Sequence, residues 1–230
     1  MMIERGLGEV AQWSLMWRAQ ADASDRAAAI IEVARVCERV AAVLRAERLL
    51  RPDRIELDEW RERATGAVVD RPAASRALPP DAEGQDLVQS VLELMAEADP
   101  SGQLYATAFE ATGSGTILLP GGSEQERPDV LWLRAAVSGG YSVVWLASQT
   151  DAWLPYTLLA VPQPEVRALN APRLERTMRA IERAVGMEWE FESHTRLAGM
   201  TRYGATNLGE PPLESEDDVY VPDRAYSATP

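Results

Sequence analysis

Apolar positions recur every three or four residues through the first hundred residues and every second residue after that. Val10, Trp13 and Trp17, with Met16 beside them, form the i, i+3, i+7 stripe of an amphipathic helix. Ser24 can cap a second helix, on which Ile30, Val33, Cys37, Val40 and Leu44 repeat at alternating spacings of three and four. That helix is expected to run to Leu50 and to stop at Pro52. The run IELDEWRERATG predicts a short third helix, with Leu57, Trp60 and Ala64 inward and Gly66 ending it. Residues 70–85, rich in proline and alanine, read as a linker. A fourth helix then turns Leu87, Val91, Leu94, Met95 and Ala98 inward.

The period then shortens to two. Residues 103–111, 115–120, 129–137 and 141–148 read as successive strands. Gly113 and Gly115 punctuate the first pair, and Ser138-Gly139-Gly140 makes a tight hairpin between the last two. Asn170 as N-cap, Pro172 in the first turn and Gly186 as terminator frame a long helix. Its face towards the sheet is Leu174, Met178, Ile181 and Val185. Residues 187–194 alternate strictly, with Met187, Trp189 and Phe191 on one side, and predict a last, edge-type strand. The predicted class is α+β: a helical N-terminal half, then an antiparallel sheet of about five strands with one long helix packed on a face. The expected regions are a helical part over 1–98, an antiparallel α+β domain over 101–194 and an irregular acidic segment over 195–230.

Composition narrows the setting. A chain of 230 residues with 46% hydrophobic residues and seven tryptophans can bury a substantial core. No apolar run approaches the roughly 20 residues that span a bilayer. The start of the chain carries Glu4 and Glu9 and no apolar signal core, so a cytoplasmic protein is expected. A single cysteine, Cys37, excludes an internal disulfide and a cysteine-rich zinc site; on the apolar stripe of its helix it reads as a small buried hydrophobe. The net charge is −13, and it is spread: 13 Arg against 19 acids in residues 1–100, and 10 against 17 in the rest. Such a field disfavours nucleic acid and anionic membranes and attracts basic partners, though solubility alone also accounts for it. All 23 basic residues are arginine, which fits a GC-rich codon bias and excludes lysine Schiff-base and P-loop lysine chemistry.

Catalytic patterns find little purchase. Gly6 opens a run resembling a dinucleotide fingerprint, but five residues leave little room for the strand that must precede it, and the pattern that follows lacks a βαβ unit. Ser114 or Ser193 with His194 as base would be the only nucleophilic pair, and Ser114 lacks the spacing of a nucleophile elbow. No catalytic residue and no cofactor is assigned. On an extended strand Glu188, Glu190, Glu192 and His194 would project from one face, about 7 Å apart, where they could share a hard cation or simply meet solvent. On the long helix Arg173, Arg176, Arg179 and Arg183 recur every three or four residues as a local basic ridge, with Glu175 and Glu182 interrupting it.

The run after the hairpin strands is the most unusual. Asp151, Trp153, Pro155 and Tyr156 crowd a bend where polar residues are the norm. Paired with a large apolar body and a polar handle, these rings suit a cap over the sheet end or a contact patch. Asp151, Trp153, Pro155 and Tyr156, then Gln163-Pro164-Glu165, Asn170 to Leu174, Tyr203-Gly204 and Asn207, resemble a segment shared by a group of actinobacterial proteins. The resemblance covers about a quarter of the chain; it implies a GC-rich source and supplies no activity. The expected function is a non-enzymatic acidic protein of immunity or inhibitor type that masks or recruits a basic protein partner. Asp151, Trp153, Tyr156 and the arginine ridge are its candidate contacts. The alternatives are an enzyme with a cation-assisted carboxylate and histidine site, and an assembly component forming a homo-oligomer through Ile30, Val33, Val40 and Leu44.

Overall fold

The computed structural model describes residues 9–19, 26–78, 87–128, 130–138, 140–192 and 194–208. Ser24, Ser193, the run at Gly6 and the acidic stretch after Leu208 lie outside the described residues. The element order is β1 (Ala11–Arg18), α1 (Arg26–Ala46), β2 (Arg51–Glu62), β3 (Ala74–Ala77), α2 (Leu87–Ala98), β4 (Leu104–Leu118), β5 (Glu124–Pro128), β6 (Leu131–Ser138), β7 (Tyr141–Ser148), α3 (Pro164–Val185), β8 (Ala198–Thr201) and β9 (Gly204–Asn207). Seven strands make one antiparallel sheet in the order β1-β7-β6-β4-β2-β3, with β5 pairing to β4; β8 and β9 form a separate hairpin. The three helices share one core with Trp13, Leu15, Ile55, Phe109, Leu133 and Val144, so they cover one face of the sheet. This overturns the expected helical N-terminal half: the chain is α+β, but three strands of the main sheet lie before residue 98.

The misread segments have identifiable causes. Apolar residues do stand at 10, 13 and 17, the last two in β1, but Ala11, Trp13 and Leu15 also alternate, and it is these that the strand points into the core. β2 buries Pro52, Ile55, Leu57 and Trp60, a spacing of three, two and three. An extra residue at Asp53 makes a bulge against β4, and Glu59 takes φ +54°, which lets Trp60 face the same way as Leu57. A kinked strand thus acquires the apolar spacing of a helix. The linker region contains β3, an edge strand held to β2. The two expected strands at 103–111 and 115–120 are one strand, β4. Its glycines are close-approach sites: a Cβ on Gly113 would lie 1.9 Å from the Arg51 carbonyl oxygen, and one on Gly115 would lie 2.2 Å from that of Leu49.

Other expectations match in part. α1 buries Ile30, Val33, Cys37, Val40 and Leu44 completely, which places them in the core and removes them as an oligomerisation face. The β6–β7 hairpin is present, with Gly140 at φ +83°. α3 buries Leu174, Met178, Ile181 and Val185 as read and ends at Gly186 in the left-handed region. Its start is two turns earlier than read, at Pro164, so Asn170 and Pro172 lie inside it. Among the described residues of 187–194 there is no strand; there the segment bridges to the main sheet where Glu190 meets Ser14. Among the described residues no helix is long and apolar enough to cross a membrane.

Candidate functional site

The aromatic bend is interior. Asp151, Trp153 and Tyr156 are 3%, 0% and 6% exposed. Trp153 donates its indole N–H to Ser148 Oγ at 2.7 Å, and the Asp151 carboxylate accepts from the Leu158 N–H at 3.0 Å. Gln163 donates to the carbonyls of Asp151 and Leu154. Asn207 clasps Tyr156 on both sides of its peptide, accepting from the N–H and donating to the C=O. Asn170 does the same to Leu118 from α3. These rings and amides therefore cap the sheet end, and the loop turns Leu159 and Val161 to solvent instead. Asp151, Trp153 and Tyr156 are thus internal residues and not the contact residues expected from the sequence.

The arginine ridge does not assemble either. Arg173 is buried and donates to the carbonyls of Thr116 and Glu47, tying α3 to β4 and to the end of α1. Arg179 pairs with Glu175 at 2.9 Å and lies 4.0 Å over the Tyr203 ring. Arg176 and Arg183 are exposed. On the inner side of α3, Glu182 accepts from the Trp189 backbone, from Arg202 and from the Tyr203 hydroxyl, each at 2.9 Å. Burial alone would raise the Glu182 carboxyl, but these donors outweigh it and hold it below the ordinary carboxylate range. Burial and the same hydrogen bond push the Tyr203 hydroxyl up. Burial also raises the Cys37 thiol, which stays protonated in the core.

The predicted carboxylate row is split. Glu188 turns to Arg202 at 3.0 Å. Glu190, Glu192 and His194 instead line an open groove of about 970 Å³ between β1 and residues 190–196. Among the described residues no three His, Cys, Asp or Glu side chains come together to hold a metal ion, so the cation site is not formed. The described residues of 190–196 are tethered at two points, one in β1 and one just before it. The first is the Ser14–Glu190 bridge, with both backbone hydrogen bonds at 2.8 Å; the second is Thr195 Oγ1 on the Val10 carbonyl, also 2.8 Å.

On the uncovered sheet face, Trp145, Ser14 and Glu190 stand in one row across neighbouring strands. Met16 and Phe191 add apolar surface and are 48% and 42% exposed. Glu9, Glu190 and Glu192 outnumber Arg196 among the charged groups lining the groove. A helical reading of β1 hides Gln12 and Ser14 and gives Met16 to a helix stripe; the alternation of Ala11, Trp13 and Leu15 is the signal that exposes all three on one sheet face. No protein-family model, curated protein or solved structure matches this chain.

Proposed function

We propose that the protein is a non-enzymatic, acidic protein-binding protein of immunity or inhibitor type, which masks or recruits a basic protein partner. Its contact surface is the groove along β1, not the aromatic bend or the arginine ridge. The observation that carries this reading is a groove that brings Met16, Phe191 and Trp145 within reach of solvent, bordered by Glu9, Glu190 and Glu192 on a chain of net charge −13. Exposed apolar surface rimmed by charge is characteristic of interaction sites, and an acidic field speeds capture of a basic surface.

The test is recovery of partners from the native host by wild-type protein and by a Glu9→Gln, Glu190→Gln, Glu192→Gln variant, at low and at high salt. Screening shortens from about 30 Å at 0.01 M salt to about 3 Å at 1 M. The expected outcome is a basic protein recovered by the wild type at low salt, lost at high salt and lost with the variant. Recovery that ignores both salt and the three carboxylates, or no recovered protein, would overturn the reading.

A further inference from the structure

The row Trp145, Ser14, Glu190 has a shape as well as a charge. Directly opposed residues of an antiparallel pair point to the same face, and neighbouring strands lie about 4.8 Å apart. Trp145 on β7 and Glu190 beyond β1 therefore stand roughly 10 Å apart, with only the short Ser14 side chain between them. Met16 and Gln12, two residues either side of Ser14, close the ends of this notch on the same face. Phe191 presents a second ring beside Glu190 and Glu192. One wall is an aromatic ring, the other a carboxylate, and the floor is small.

We infer that this notch recognises an arginine side chain of the partner, seated over Ser14 with its guanidinium between the Trp145 ring and the Glu190 carboxylate. The inference rests on the reading of the groove as the binding site for a basic protein and specifies the group it selects. A planar, weakly hydrated guanidinium stacks on an aromatic face and presents its edge donors to a carboxylate at once; a lysine ammonium, compact and strongly hydrated, meets the charge but not the plane. The aliphatic stem of the arginine packs along Met16, and Glu192 and Glu9 supply the surrounding field.

The probes are three capped tetrapeptides, of arginine, of lysine and of citrulline, the last being neutral and nearly isosteric with arginine. Binding to the full chain is followed by indole NMR shifts and by titration calorimetry. The expected order is arginine over lysine by about two- to fivefold, the ratio of an exposed cation–π contact, with citrulline not binding. Phe191→Leu and Trp145→Leu are expected to reduce the preference for arginine, while Glu190→Gln with Glu192→Gln weakens both cationic peptides. Phe191 is exposed, so its variant keeps the test open if replacing Trp145 disturbs the sheet. Equal binding of arginine and lysine, both dependent on the glutamates, would overturn the arginine assignment and leave the acidic groove standing. Absence of binding, or binding indifferent to the glutamates, would overturn both.

Discussion

At the scale of the residue, the polar side chains that stand out in the sequence are mostly those that close buried backbone. Asp151, Gln163, Asn170, Arg173 and Asn207 each bond a main-chain group far away in sequence or around a tight turn. Their presence among apolar residues is visible in the sequence; their direction is not, because an amide meeting a partner and one clasping an internal peptide have the same polarity. Leaving a buried peptide unpaired costs about 1–3 kcal/mol per group. Asn170→Ala frees both sides of the Leu118 peptide and is expected to lower unfolding stability by about 2–4 kcal/mol by denaturant titration. Glu182 makes a pH-dependent counterpart. Its carboxyl is held low in the folded state, so its contribution is complete above the unfolded value of about 4.3 and is lost as pH falls through the lower folded value. Glu182→Gln is therefore expected to lower the melting temperature at pH 7 and to narrow its gap from wild type below pH 4. A gap independent of pH would show that the Trp189, Arg202 and Tyr203 donors do not depend on the charge.

At the scale of the element, α1, α2, β6, β7 and the second half of α3 are legible because their apolar spacing follows a single period; the part of α3 before Asn170 holds no buried residue and shows no such stripe. β1 and β2 are not, and for different reasons. Eight residues of β1 satisfy both periods at once, and only pairing with β7 decides between them. β2 breaks its own period with the Asp53 bulge and the left-handed Glu59, whose carbonyl accepts a hydrogen bond from the Thr107 hydroxyl at 2.7 Å. The glycines of β4 look in the sequence like punctuation between two strands; they are the positions where β2 and Leu49, between α1 and β2, press onto a continuous one. Gly113→Ala would drive a methyl group into the Arg51 carbonyl, and backbone on both sides leaves little room to yield. The expected loss is at least about 2 kcal/mol, accompanied by faster hydrogen exchange at the β2–β4 seam. Gly121→Ala is the control for added methyl volume, since nothing lies within 4 Å of its Cβ position, although φ +82° there carries a strain of about 1 kcal/mol.

At the scale of the molecule, the sheet joins the two halves that the change of period appeared to separate. β1 lies against β7, with Ala11 opposite Ser148, and β2 lies against β4, with Leu57 opposite Phe109. α1 sits at the centre of the helical layer, against β4, β6 and β7 as well as α2 and α3. Leu131, Leu133, Val144 and Leu146 of the later strands are therefore covered by residues from the first half, including Val33, Val40 and Leu44. A fragment beginning after α2 would expose that face and lack the neighbours of two of its strands. It is expected to aggregate or to remain without fixed tertiary structure, as read by near-ultraviolet circular dichroism. The whole chain is expected to unfold in one urea transition, with tryptophan fluorescence and far-ultraviolet circular dichroism sharing a midpoint. Trp13 and Trp60 report from the first half and Trp132, Trp153 and Trp189 from the second, so separate unfolding of the halves would split the fluorescence transition from the helical signal. A fragment from residue 101 onward that folds with native near-ultraviolet signals would show that the later strands need neither β1 nor α1, and the shared core would then not be what holds the sheet.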